Sequence, residues 1–369
     1  MAAAAFPPYD AHMANLEPRT LRALLHAMPK AELHLHLDGS LRVDTALEIA
    51  RTRGIDAPST FAGMRGVLVG PEQSVDQSAL LAAFDLPIAL MQDEEALEWI
   101  AADLVDDKAS DNVRYAEIRW APLLHEDEGL TGREVVEAVW RGASRAAEGR
   151  PAGSRHIDVR MIATLMRSHE PERNLAFIRD MEEYGVPDGL VGVDLAGPEA
   201  RFPDPELHRE AIELARAIGL HVTLHAGEWG GAAQVRRALE LVPERIAHGP
   251  LAIDDPTVVA ELIESGTWLD LCPTSNVQAS IVPSLEAHPL RRLLHAGVPV
   301  TLNTDDLTVS DVTLTEEYAR AVERIGITLP ELWAMDLAAL DAAFCEPEVA
   351  ERLRAEFLAW GAGIPEFAG

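Results

Sequence analysis

The sequence predicts a (β/α)8 barrel of the TIM-barrel type, and three observations carry that expectation. Eight short β-branched or apolar runs recur along the 369 residues, separated by helix-like stretches with polar faces. Such alternation implies parallel strands joined by right-handed crossovers. No Gly-x-Gly-x-x-Gly follows the first run, which weakens the case for an open nucleotide-binding sheet. Finally, the histidines and acids best suited to chemistry sit where runs end, at the rim on which such barrels carry their sites.

In order, the strand runs are Ala31–Leu37, Val113–Trp120, Ile157–Leu165, Leu190–Leu195, His221–Ala226, Arg245–His248, Thr267–Leu271 and Pro299–Asn303. Helical patterns fill the gaps at Asp93–Ala109, Arg133–Ala147, Pro171–Tyr184, Pro205–Ile218, Ala232–Leu241, Asp255–Glu264 and Pro289–Ala296. Two stretches depart from the repeat. The segment from Asp38 to Ala109 carries Phe61, Met64, Val67, Leu68, Val69, Leu80, Leu81, Phe84, Leu86 and Ile88. An insertion this apolar is expected to form a helical lid over the barrel mouth, with core packing of extra helices as the alternative. Thr315–Phe357 reads as further helices packed outside the barrel. A closed α/β barrel reaches this length as one unit, so residues 1–369 are expected to form a single domain.

Composition narrows the partners. With 48% apolar and 25% charged residues the chain can bury a large core. Its formal charge of −30 argues against nucleic acid and against an anionic membrane, since both would be repelled. Cys272 and Cys345 are too few for a disulfide framework and suit a reducing cytoplasm. The start, Met1-Ala-Ala-Ala-Ala-Phe-Pro-Pro, has no basic region ahead of its apolar residues, and no run approaches bilayer length. A cytoplasmic enzyme is the expectation.

The chemistry begins at His34-Leu35-His36. In an extended strand residues i and i+2 share a face, so two imidazoles can grip one metal ion. His225-Ala-Gly-Glu228 ends the fifth run, His248 the sixth, and Asp305 and Asp306 follow the eighth. Three histidines and one aspartate form a nitrogen- and oxygen-rich set that suits Zn²⁺ with a water completing the shell. Such an ion lowers the pKa of its water towards neutrality and supplies a hydroxide nucleophile. Glu228, beyond a flexible Gly227, can shuttle a proton. His248 can steer or deprotonate the water, or stabilise charge near the metal. Asp306 is placed to orient water or bind substrate. Parity puts Glu32 on the face of the histidine pair, one step further from the rim, as a buried neighbour and not a ligand. Asp194 reads as structural, and Ser275 and Asn276 as shaping a rim loop. His12, His26, His125, His156, His169, His208, His221, His288 and His295 read as packing or surface residues.

These motifs together resemble the adenosine deaminase family along most of the chain. Pro29-Lys-Ala-Glu-Leu-His-Leu-His-Leu-Asp-Gly-Ser40, Val193-Asp-Leu-Ala-Gly197 and His225-Ala-Gly-Glu228 match its motifs in order. Arg245-Ile-Ala-His-Gly249, Cys272-Pro-Thr-Ser-Asn276 and Asn303-Thr-Asp-Asp306 continue the series, and Phe84-Asp-Leu-Pro87 and Arg114-Tyr-Ala-Glu-Ile-Arg119 resemble its bacterial members. The resemblance implies one Zn²⁺ per chain held by His34, His36, His225 and Asp305. It implies Glu228 as proton donor to purine N1, with His248 and Asp306 around the hydroxide and substrate. Asp38 and Gly197 match positions that contact the ribose hydroxyl and the purine ring, and His36 matches a ligand that also neighbours substrate. Leu307 departs from the pattern, where many members have proline, and touches loop shape only.

The implied reaction is hydrolytic deamination of adenosine and 2′-deoxyadenosine to inosine and 2′-deoxyinosine, with release of ammonia. The alternative is a related aminopurine: adenine, an N6-substituted adenosine or aminodeoxyfutalosine. A dinuclear amidohydrolase would need a bridging carboxylated lysine, and the only lysines are Lys30 and Lys108. The zinc deaminases built on Pro-Cys-x-x-Cys are excluded, because Cys272 is followed by Pro-Thr-Ser.

Overall fold

The structure, a computed structural model, describes residues 17–75, 77–150 and 156–367. The Ala-rich start and His12 lie outside the described residues. Eight parallel strands follow one another round a sheet in sequence order. They are β1 (Lys30–His36), β2 (Val113–Trp120), β3 (Asp158–Met166), β4 (Leu190–Ala196), β5 (His221–Ala226), β6 (Arg245–His248), β7 (Trp268–Leu271) and β8 (Val300–Leu302). Each expected run is present, displaced by no more than one residue at either end.

The strands form where they do because both their faces are covered. Ile118, Leu195, Leu224, Ile246 and Leu269 are fully buried against the surrounding helices. Each such side chain contributes roughly 1.5–3 kcal/mol on leaving water. The helix Glu94–Ser110 leads into β2, and Asp93 caps it by accepting from Ala96 N at 2.9 Å. It packs so closely on Gly132–Glu148 that a Cβ at Gly142 would stand 2.1 Å from the Glu98 carbonyl oxygen. Among the described residues no helix is long and apolar enough to cross a membrane.

The seam between β8 and β1 holds the site together. Leu35 and Asp305 form a parallel bridge, in which His36 N donates to Asp305 O at 2.7 Å and Asp305 N donates to His34 O at 3.1 Å. Beside it, Asn303 Oδ1 accepts from Leu33 N at 2.8 Å and His34 N at 3.2 Å. Those two amides are freed by a β-bulge, because Glu32 pairs with Ala116 while Leu35 pairs with Ile118. The extra residue corrects the parity expected for Glu32. It faces away from the histidine pair, where Lys108 Nζ meets its Oε2 at 2.5 Å and Thr304 N donates to its Oε1 at 3.1 Å.

The insertion after β1 divides between the two roles considered for it. Met64 and Leu68, on the helix Phe61–Leu68, are fully buried core residues, whereas Phe61 and Val67 are exposed. Leu80, Leu81, Phe84 and Ile88, on the short helices of Gln77–Leu90, border the cavity at the barrel mouth. The lid is therefore that second half alone. The C-terminal region is helical as expected, and Leu329–Ala342 underpins β1, with Asp336 Oδ1 accepting from Ala31 N at 3.0 Å.

Candidate active site at the barrel rim

Strand ends bring His34, His36, His225 and Asp305 together, with one potential ligand atom from each lying within 4.8 Å of the others. His34 Nε2 and His225 Nε2 both stand 3.3 Å from His36 Nε2. Asp305 Oδ1 is 3.0 Å from His34 Nε2 and 3.3 Å from His36 Nε2. Like lone pairs gathered this closely repel unless a cation or protons lie between them. Burial pushes the imidazoles of His34 and His36 down, His36 to about 3, which favours neutral rings over protons. Burial alone would raise the Asp305 carboxyl, but His248 and His34 beside it hold it well below the usual range. The donor set fits a divalent cation.

Other side chains orient these donors. His225 Nδ1 lies 2.7 Å from Asp194 Oδ2, which turns its Nε2 into the cluster. Burial opposes the charge on Asp194, yet His225 and Arg119 keep its pKa well below the usual range. Burial likewise lowers the His225 pKa, and Asp194 outweighs it, so the net shift is upward. A cation would take over that role, so we read the pair as Nδ1–H facing carboxylate with a bare Nε2. Ser275 Oγ donates to Asp305 Oδ2 at 2.6 Å. Asp305 (φ 71°) and His248 (φ 69°) hold left-handed backbone, which is costly outside glycine and typical of positions where function fixes the geometry.

Glu228 stands across from the cluster on the loop after β5. Glu199 clamps that loop, accepting from Gly227 N at 2.8 Å, Trp229 N at 2.7 Å and Gly230 N at 3.0 Å. Gly227, at φ 79°, permits the turn. His248 Nε2 is 3.5 Å from Glu228 Oε1 and 3.7 Å from Asp305 Oδ2. Burial lifts the Glu228 carboxyl to about 8; His225 opposes this, while Asp305 and Glu199 add to it. Burial and the adjacent Asp305 charge push Asp306 well above the usual range. Burial raises Asp38 to about 7.

Glu228, His248, Asp306 and Asp38 line a cavity of about 260 Å³ with His36, His225 and Asp305, and it also includes Gly197, Thr164 and Trp229, with the lid residues on its apolar side. Every residue expected at the site is therefore brought together. Asp194, read as structural, and Ser275 and Asn276, read as shaping a rim loop, act on it directly, and so does Glu199, which the sequence does not single out. A larger hollow of about 850 Å³ opens at the opposite end, lined by strand starts such as His221, Arg245 and Thr267. The donor cluster is not there, so size does not locate the chemistry. Lys30 and Lys108 are engaged elsewhere, Lys30 with the carbonyls of Leu25 and Met28 and Lys108 with Glu32, so neither bridges metals.

Gly39 shows how tightly the rim is built. A Cβ there would stand 1.6 Å from Asp306 Oδ1. Gly39→Ala is expected to displace Asp306 while leaving the four-donor cluster intact. Displacements near 1 Å in such sites cost about 10²-fold, so kcat/KM should fall by at least roughly tenfold with metal content unchanged. Unchanged kinetics would show that Asp306 need not stand where it does.

Fold and site together define a barrel hydrolase whose rim carries a cluster fitted to hold a metal ion. The sequence profile of the adenosine deaminase family matches residues 29–360. An adenosine deaminase from Clostridium perfringens is 37% identical over 330 residues, 89% of this chain and 97% of that protein. An amidohydrolase from Burkholderia ambifaria, solved with bound Zn, superposes with a TM-score of 0.84 at 26% identity, covering 96% of this chain and 95% of that one. The N6-methyl-AMP deaminase of Arabidopsis thaliana superposes at 0.80 with 30% identity, covering 93% and 99%. The chain belongs to the adenosine deaminase family and is a hydrolytic aminohydrolase.

Proposed function

We propose that the protein deaminates adenosine and 2′-deoxyadenosine hydrolytically, giving inosine and 2′-deoxyinosine with ammonia, at a single Zn²⁺ held by His34, His36, His225 and Asp305. The observation that carries this is the convergence of three imidazole nitrogens and one carboxylate beside a half-buried, protonatable Glu228. Those four residues would hold the ion, and a bound divalent cation would lower the pKa of a water towards neutrality and so supply the nucleophile. Glu228 holds the proton that passes to purine N1, and a protonated ring nitrogen removes the aromatic resistance to addition at C6. His248 and Asp306 face the reacting oxygen; the hydroxyl added at C6 gives up its proton to the amino group, which leaves as ammonia as the C6–N bond breaks and the C6=O bond forms. Asp38 receives the ribose hydroxyl, Gly197 lies against the purine, and His36 is both ligand and neighbour of the substrate.

A neutral nucleoside fits this cavity better than its phosphate. Among the described residues lining it there is no Lys or Arg, while Asp38, Asp85, Glu228, Asp305 and Asp306 are there. A 5′-phosphate would meet a carboxyl group where a donor is needed. Asp38, raised to about 7, carries its charge from neutral pH upward, and like charges at about 4 Å repel by about 1 kcal/mol in water and about 4 kcal/mol when partly desolvated. AMP should therefore show kcat/KM at least roughly a hundredfold below adenosine. A panel of adenosine, 2′-deoxyadenosine, adenine, AMP and aminodeoxyfutalosine, followed by ammonia release, tests the assignment. Equal turnover of AMP would remove Asp38 from the ribose site. If the carboxylate causes the discrimination, Asp38→Asn narrows the gap.

A further inference from the structure

Behind His248, away from the cavity, runs a chain of hydrogen bonds that ends on a backbone amide. Leu290 N donates to His288 Nδ1 at 3.1 Å. His288 Nε2 lies 3.1 Å from Asn276 Oδ1, and Asn276 Nδ2 lies 3.0 Å from His248 Nδ1. His248, Asn276 and His288 are all buried, so water does not compete for these partners. A backbone N–H can only donate, and that fixes every other member. His288 Nδ1 must accept, so its proton is on Nε2. That proton needs an acceptor, so Asn276 turns its carbonyl oxygen to His288 and its amide to His248. His248 Nδ1 then accepts in turn, and its proton stands on Nε2. Turning Asn276 round would set donor against donor and leave buried polar groups unsatisfied.

We propose that Asn276 and His288 are positioning residues that lock His248 as its Nε2–H tautomer, so that His248 meets the attacking oxygen as a hydrogen-bond donor and not as the base that deprotonates it. The donor role rests on the aminohydrolase reading above; the tautomer does not. The Nε2–H points at the cavity, where Glu228 Oε1 and Asp305 Oδ2 flank it at 3.5 and 3.7 Å. Preorganised donors aimed at developing negative charge are a strong source of catalysis. Acceptance of protons is then left to the carboxylates around the cavity.

The test begins with ¹⁵N-histidine-labelled, metal-loaded protein. Long-range ¹H–¹⁵N spectra separate protonated from lone-pair ring nitrogens, and His248→Gln and His288→Gln assign the two signals. Both rings should show a protonated Nε2 and a bare Nδ1. A bare Nε2 on His248 overturns the proposal, whatever the protein deaminates. The expected tautomer without ammonia release from any purine would overturn the function and, with it, the donor role. Asn276→Asp offers only acceptors and should draw the His248 proton to Nδ1. A histidine in the wrong tautomer can lose up to about 10⁴-fold of turnover, so kcat should fall by roughly tenfold or more with KM within about twofold. His288→Gln can still accept from Leu290 N and donate to Asn276, and should stay within about threefold of wild type, whereas His288→Leu should match Asn276→Asp. An Asn276→Asp protein that kept both the Nε2–H signal and kcat within about threefold would overturn the relay. Should that variant fail to fold, the wild-type spectrum and the His288 pair still decide.

Discussion

Glu228→Gln should keep its metal and lose most of its turnover. The amide preserves the side chain's size and part of its hydrogen bonding, but it has no proton to give to purine N1. Loss of general acid–base help typically costs about 10²–10⁴-fold, and kcat should fall by that amount while metal content stays at the wild-type level. The pH profile carries the same argument. Burial raises the Glu228 carboxyl to about 8, so the proton-bearing form persists through neutrality and is lost as pH rises. Wild-type kcat/KM should therefore decline above about 8, and the residual activity of Glu228→Gln should lack that limb. A variant within about threefold of wild type would remove Glu228 from the mechanism.

What the sequence discloses here, and what it conceals, follows from the range of each signal. The four donors of the rim cluster are legible because strand ends and the two-residue period are local properties, and a barrel delivers strand ends to one rim. Glu32 shows the limit of parity. Its face is reversed by a bulge that exists only because β1 pairs with β2 out of step, with Asn303, just past β8, satisfying the freed amides. Nothing within β1 announces this. Asn276 and Ser275 read only as shaping a rim loop, because polar residues on the short helix Pro273–Gln278 have no periodic pattern to reveal their partners. Their partners, His248 and Asp305, are 28 and 30 residues away. Asp194 had one available clue. It lies on β4 next to β5, the strand that ends in His225, yet only the folded register shows its carboxylate reaching His225 Nδ1. The lid was visible as excess apolar residues, but which of them cover the cavity and which fill the core depends on helix placement.

Asp305→Ala is expected to abolish metal binding and activity together, because this one residue serves the cluster, the strand seam and the backbone turn. Its Oδ1 brings a carboxylate among the Nε2 atoms of the cluster, at 3.0 and 3.3 Å from His34 and His36. Removing it leaves three neutral imidazoles with no anionic donor, and it also strands the Ser275 hydroxyl that donates to Oδ2. The backbone adds a separate cost. At φ 71° alanine is disfavoured by about 1–2 kcal/mol, whereas asparagine tolerates the left-handed region. Asp305→Asn therefore separates the two effects: it should fold with near wild-type stability yet still bind metal poorly, since an amide oxygen carries no charge. His34→Ala is the control that removes a ligand without touching a left-handed residue. Elemental analysis should give one equivalent of zinc in wild type and far less in all three variants, with ammonia release falling in step. Two equivalents in wild type, with activity needing both, would overturn the mononuclear site. A fully loaded Asp305→Asn with turnover within about threefold of wild type would show that the carboxylate anchors the seam and not the ion.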